Sequence, residues 1–183
     1  MRPDVTLDRP AYRGDMSVED FARYSEVLHE MTQEIARAVP DHAWDFTSVR
    51  PGTSAGRQTE HRPAASFAPF SKQLRHVVCV RGVYNAALGT GAVDWSRKHE
   101  HYNGPLARDA LTTALAEQQR RLIELLDGIH PDVVLDWDGH PFTFGLFGGE
   151  FAQHEALHHG QWSVYAALAG FDTPSGWRDS WGL

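Results

Sequence analysis

Residues 154–161 read HEALHHGQ and lie within an apolar stretch, 144–169, whose composition favours one long helix. Residues four apart on a helix lie one turn above each other, so His154 and His158 face the same side. Two imidazoles at that spacing can bind a single metal ion. The same letters match HExxH, the signature of zinc proteases, so this pentapeptide supports two different interpretations.

The histidine pair is predicted to face the core. It continues an inward stripe on the last helix, formed by Phe147, Phe151, His154, His158, Tyr165 and Leu168. His76 lies on a similar stripe of an earlier helix, with Val80, Val83 and Ala87. Buried imidazoles are costly unless their nitrogens are satisfied, which a divalent metal would do. A lone inward histidine is more often a hydrogen-bonded core residue, so the assignment of His76 is weaker than that of the pair. His159, about 100° further round the helix, is expected at the rim.

Four segments have the apolar spacing of amphipathic helices. Ser17 with Asp20 predicts an N-cap before the first helix, and Pro40 ends it. Gly89 and Gly170 are the predicted C-terminal stops of the second and fourth helices. The four segments are 18–39, 67–88, 105–127 and 144–169. With a long polar connection over 41–63, they predict an all-α four-helix bundle.

Two smaller features are predicted near the last helix. Asp138-Gly139 separates two short segments and favours a small hairpin before that helix, with an irregular loop as the alternative. The tail after Gly170 carries Trp177 and Trp181, which predicts that it packs on the bundle.

The bulk composition is that of an ordinary globular protein. The chain has 183 residues, of which 42% are hydrophobic and 22% charged, and this predicts one domain over 1–183. The net charge of −7 argues against a nucleic-acid partner. The single cysteine, Cys79, allows no internal disulfide. Without a signal segment or a run long enough to cross a bilayer, we expect a cytoplasmic protein with no membrane partner.

The protease interpretation fails on the residues after the pentapeptide. The longer pattern HExxHxxGxxH requires glycine at 161 and histidine at 164, where this chain has Gln161 and Val164. Only Asp172 and Asp179 could supply a downstream carboxylate ligand, and no motif supports either. A zinc protease is therefore the less favoured interpretation.

The segment HEALHHGQ, followed by Gly170-Phe171, Pro174 and Trp177, resembles the closing helix and tail of the DinB/YfiT-like superfamily. His76, in QLRHVV, lies where that family has its first metal histidine. The resemblance implies a four-helix bundle with a divalent metal, most often zinc or nickel, bound by His76, His154 and His158. It also implies a homodimer, and a thiol-dependent transferase or isomerase activity that uses bacillithiol, mycothiol or glutathione. For this chain we expect a transferase, with a small-molecule thiol and an electrophile as substrates.

Three functional hypotheses follow. The first is a thiol-dependent S-transferase, in which the metal binds the thiol as a thiolate. The second is a metal-dependent hydrolase with Glu155 or a water as the base, and the third is a non-catalytic bundle stabilised by metal. Glu155 lies about 100° round the helix from His154, so a residue that supports the ligands or lies at the surface is the alternative. Gln161, one turn after His158, is a candidate for orienting a ligand, with a packing role as the alternative. Glu155 and Gln161 are thus the candidate catalytic residues.

Overall fold

The computed structural model describes residues 16–47 and 68–182. These residues are mostly helical, and four long helices form the bundle. The helices are α1 (Val18–Ala38), α2 (Asp41–Trp44), α3 (Phe70–Thr90), α4 (Arg108–Leu126), α5 (Phe144–Ala169) and α6 (Ser175–Trp181), with a 3₁₀-helix over Trp95–Glu100. No helix in this part of the chain is long and apolar enough to span a membrane. The predicted connection over 41–63 lies mostly outside the described residues, as does the predicted helix start at Phe67.

The long helices begin and end largely where their capping residues predict. The Ser17 hydroxyl accepts a hydrogen bond from the Asp20 backbone N–H and donates one to the Asp20 carboxylate, so the predicted N-cap is present. Gly170 ends α5 in the left-handed conformation, with φ +76°. The predicted stop at Gly89 is wrong by two residues. The helix α3 continues to Thr90, and Gly91, with φ +80°, provides the left-handed cap.

The bundle has α1 and α3 on one diagonal and α4 and α5 on the other. Each of α1 and α3 packs against both α4 and α5. The chain therefore crosses the bundle twice, between α1 and α3 and between α4 and α5. This confirms the predicted all-α four-helix bundle and sets α3 and α5, the two histidine-bearing helices, side by side.

The predicted hairpin is present and forms part of a small sheet. Strand β2 (Val134–Trp137) pairs antiparallel with β3 (His140–Thr143), and the turn residues Asp138 and Gly139 both have positive φ. A strand that the sequence did not predict, β1 (Ala92–Val93), pairs in parallel with β2. A strand of two residues is too short to show a periodic pattern, so β1 is recognised only from its pairing with β2.

The core consists of two apolar clusters separated by a buried polar layer. One cluster surrounds Phe21, Tyr84 and Phe147, and the other surrounds Ile35 and Trp162. The layer between them contains seven of the buried polar and charged side chains, Ser25, Thr32, Arg81, Gln119, Glu155, His158 and His159. The candidate site therefore occupies the middle of the bundle rather than one of its ends.

The buried face of α5 differs from the predicted stripe. Leu168, predicted inward, is exposed, and His159, predicted at the rim, is buried. The middle of the buried face lies near Glu155 and Trp162. At 100° per residue, this is roughly 70° round the helix axis from the middle of the predicted stripe. The stripe that includes His154 and His158 is thus one edge of the buried face.

Candidate metal centre

Three histidines converge where α3 packs against α5. His76 lies on α3, and His154 and His158 lie on α5. One ligating atom from each residue lies within 4.8 Å of those of the other two. The Nε2 atoms of His76 and His154 are 3.0 Å apart. The ring centroids are 5.2 Å apart for His76 and His154, 5.1 Å for His76 and His158, and 4.7 Å for the α5 pair. The tertiary structure thus brings the three candidate ligands together.

These imidazoles are neutral at physiological pH. Burial is the main reason that the pKa of His76 falls to about 4 and that of His154 to about 3. The neighbouring His158 lowers both pKa values further, because a second positive charge nearby would repel the first. Burial also lowers the pKa of His158, although the Glu155 charge opposes it. All three side chains therefore offer the unprotonated nitrogen that metal binding requires.

Two of these ring nitrogens lack a partner. The Nδ1 atoms of His154 and His158 are buried and have no hydrogen-bond partner in the described part of the chain. An unsatisfied buried polar group costs about 1–3 kcal/mol. Neutral imidazoles suit divalent transition metals, and three protein ligands leave a position open for another molecule. The residues present therefore fit a divalent metal.

Gln161 lies beside His158, as the sequence predicted. It is half-buried and one turn further along α5. Burial lowers the pKa of His158, and polar contact with the Gln161 side chain counteracts that effect. The catalytic role of Gln161 stays a prediction.

Glu155, the other candidate catalytic residue, faces away from solvent. Its side chain and that of Arg81 are each only 1% exposed. Arg81 Nε donates to Oε1 at 2.9 Å, and Nη2 donates to Oε2 at 3.1 Å. Burial raises the pKa of Glu155, but the Arg81 charge and hydrogen bonds outweigh it, and the net pKa is lowered. Glu155 is therefore an ionised partner of arginine.

This ion pair belongs to a network that reaches the other two helices. Thr32 of α1 contacts Glu155 Oε2 at 3.3 Å, and its Oγ1 lies 2.8 Å from His159 Nε2. Arg81 also donates to Gln119 Oε1 of α4 at 3.0 Å. The Thr32 contact and Trp177, whose ring centroid is 4.7 Å away, explain why His159 is buried and not at the rim.

Sequence reasoning did not identify Arg81. The signal was an arginine within the apolar run 77–88, VVCVRGVYNAAL, where a charged residue in a buried helix needs a partner. Its partner could not be named from the sequence, because Glu155 is 74 residues away on another helix.

Positive charge lies near one edge of the site. Lys98, on the 3₁₀-helix, is close enough to His76 for its charge to add to the burial effect that lowers the pKa of His76. Cys79, one turn after His76, is buried and contacts the Tyr102 carbonyl at 3.7 Å. Burial raises the pKa of its thiol, as expected for a cysteine packed as a small core residue.

The arrangement differs from that of the HExxH proteases. The third histidine is upstream, on another helix, and the glutamate that would act as base is bound to arginine. The pentapeptide here supplies two candidate ligands and a buried ion-pair partner.

The comparisons with known proteins agree with the fold. The sequence model of the DinB superfamily matches residues 22–162. A solved structure, that of the DinB-like protein YjoA from Bacillus subtilis, is similar with a TM-score of 0.57 and 12% sequence identity. The similarity covers 84% of this chain and 95% of that one. No match was found among the curated proteins.

Proposed function

This chain belongs to the DinB superfamily, and we propose that it is a metal-dependent enzyme that transfers a small-molecule thiol to an electrophile. His76, His154 and His158 would hold the divalent ion. The observation that supports this most directly is the convergence of three neutral imidazoles, from two helices, within 4.8 Å. When bound, a zinc or nickel ion would supply a Lewis acid that favours the thiolate form of the substrate.

The surrounding charges favour an anionic substrate. The three imidazoles carry no charge, so none of the positive charge of an ion would be cancelled by its ligands. Lys98, near His76, adds positive charge at the same edge. A thiolate, or a thiol that also carries carboxylates, would be attracted to this edge, and the Gln161 amide would orient it.

The state of Glu155 supports transfer over hydrolysis. A base must accept a proton from an attacking water, and so needs a free oxygen within reach of it. Both oxygens of Glu155 accept hydrogen bonds from Arg81, and the residue is almost fully buried. A hydrolase with Glu155 as the base would require this ion pair to break.

The first test is the metal content of the purified protein. We expect about one divalent ion per subunit, and a large loss in His76→Ala, His154→Ala and His158→Ala. His130→Ala is the matched control, because His130 is an exposed histidine outside the site. Full occupancy in His76→Ala would remove that residue from the proposed ligand set.

The second test is activity. Metal-loaded protein is incubated with a haloarene and each of several small thiols, and peptide and ester substrates are run in parallel. We expect thiol consumption that requires the three histidines. Hydrolysis without thiol consumption would support the hydrolase instead, and inactivity in all assays would leave a non-catalytic metal-binding bundle.

A further inference from the structure

We propose that the buried Arg81–Glu155 pair is a positioning element, which holds α5 against α3 at the rotation that brings the three histidines together. The inference rests on the proposed metal site. It assigns Glu155 a role through the ligands rather than contact with the reacting atoms.

The pair joins the two helices that carry the ligands. Arg81 lies five residues after His76 on α3, and Glu155 lies between His154 and His158 on α5. The two parallel hydrogen bonds, at 2.9 and 3.1 Å, form a planar fork that restricts both distance and orientation. Any rotation of α5 that moved the α5 histidines would also break this fork.

Side chains of the other two long helices, α1 and α4, hold Arg81 and Glu155 in place. Thr32 of α1 contacts Glu155 at 3.3 Å. Arg81 Nη1 donates to Gln119 of α4 at 3.0 Å and lies 3.1 Å from His29 Nδ1 of α1. Gln119 in turn donates to Ser25 Oγ of α1 at 3.1 Å. Contacts with α1, α3 and α4 therefore together fix the rotation of α5.

Stability alone does not account for the pair. Replacing a buried ion pair with apolar residues of similar volume is often neutral or stabilising. Apolar clusters already lie on both sides of this layer and could continue through it. Apolar contacts are non-directional, however, and would let α5 settle at several rotations. Three ligands from two helices stay aligned only if the helices keep one rotation, and the directional fork between Arg81 and Glu155 provides that restraint.

The test compares metal affinity with stability in the full chain, with Co²⁺ and Zn²⁺ as the probes. The double variant Arg81→Met/Glu155→Leu removes both charges together, and Arg81→Lys keeps the charge but loses the fork. We expect both to bind Zn²⁺ 10- to 100-fold more weakly, as is typical when groups that orient metal ligands are removed. The Co²⁺ absorption spectrum should change as well, while the double variant unfolds at a similar or higher denaturant concentration.

Arg108→Met is the control for a general loss of stability. Arg108 bonds to Asp41 and the Ala36 carbonyl, contacts that do not involve the three histidines. This variant should lose stability but keep both metal affinity and the Co²⁺ spectrum.

Two results would overturn the inference. The first is that a folded variant, either Arg81→Lys or the double variant, binds Zn²⁺ within about twofold of the wild-type affinity and gives an unchanged Co²⁺ spectrum. The other is a Glu155→Gln protein that binds metal like the wild type but has lost activity, which would make Glu155 a base. A wild-type protein that binds neither ion would overturn the metal site itself, and the positioning role with it.

Discussion

The Nε2 atoms of His76 and His154 lie 3.0 Å apart although the residues are 78 positions apart in the chain. At this distance at least one of the two nitrogens must be unprotonated. The pKa is lowered to about 4 for His76 and to about 3 for His154, so each ring gains a second proton only well below physiological pH. Both rings therefore stay neutral across the physiological pH range, as metal binding through an unprotonated nitrogen requires.

The buried histidines predict that the metal-free protein is sensitive to mild acid. The pKa of His29, His76 and His159 is lowered to about 4, and that of His154 to about 3. Between pH 6.5 and 4 the unfolded chain binds protons that the folded chain does not, so the free energy of unfolding falls as the pH falls. One pKa unit corresponds to about 1.4 kcal/mol, and we expect a total loss of at least about 3 kcal/mol.

Denaturant titrations at several pH values, with a chelator present, measure this loss. In His29→Gln, which keeps an acceptor for Arg81, the dependence on pH should be shallower. A free energy of unfolding that stays constant from pH 7 to 4.5 would contradict the prediction.

Alanine substitution at two glycines near the end of α3 should have opposite effects on the stability of the protein. Gly91 has φ +80°, so Gly91→Ala should destabilise the protein by about 1–2 kcal/mol. Gly89 lies in the helix with open space around it, so Gly89→Ala should stabilise by up to about 1 kcal/mol. Thermal or denaturant unfolding of the two variants tests this, and equal effects would place the helix end elsewhere.

The C-terminal helix should be anchored by one tryptophan. Trp177 is fully buried, and its Nε1 donates to the Met31 carbonyl at 2.9 Å. Trp177→Ala should therefore cost about 3–5 kcal/mol. Trp181 is 40% exposed, and Trp181→Ala, the matched control, should cost less than about 1 kcal/mol. Similar unfolding midpoints for the two variants would show that the tail contributes little.

An exposed face of α5 is the candidate interface of the homodimer that the family resemblance predicts. Leu146, Leu157 and Leu168 are more than half exposed, and each is 11 residues, about three turns, from the next. In an antiparallel pairing of two copies centred on Leu157, Leu146 of one copy would face Leu168 of the other.

Leu157→Glu should therefore convert a dimer to a monomer in light scattering. Val134→Glu is the control, because Val134 is similarly exposed but lies on β2. A wild-type monomer at high concentration would rule out the dimer, and a dimeric Leu157→Glu protein would rule out this face.

Local signals in the sequence were enough for the four long helices, two of their caps and the candidate ligands. Apolar spacing predicted the four long helices, and Ser17, Gly170 and Asp138-Gly139 marked a helix start, a helix end and the hairpin turn. These features depend on interactions within a few residues, so they can be predicted without knowledge of the fold. The spacing of His154 and His158 is of the same kind.

Only the tertiary structure revealed what surrounds those ligands. The burial of Glu155 and His159 depends on Arg81, Thr32 and Trp177, which lie on three other helices. Helical periodicity gives the angle between two side chains of one helix, but the direction that the helix presents to the core depends on its neighbours. An ion pair between α3 and α5, and with it the distinction between a base and a buried partner of arginine, is therefore a property of packing.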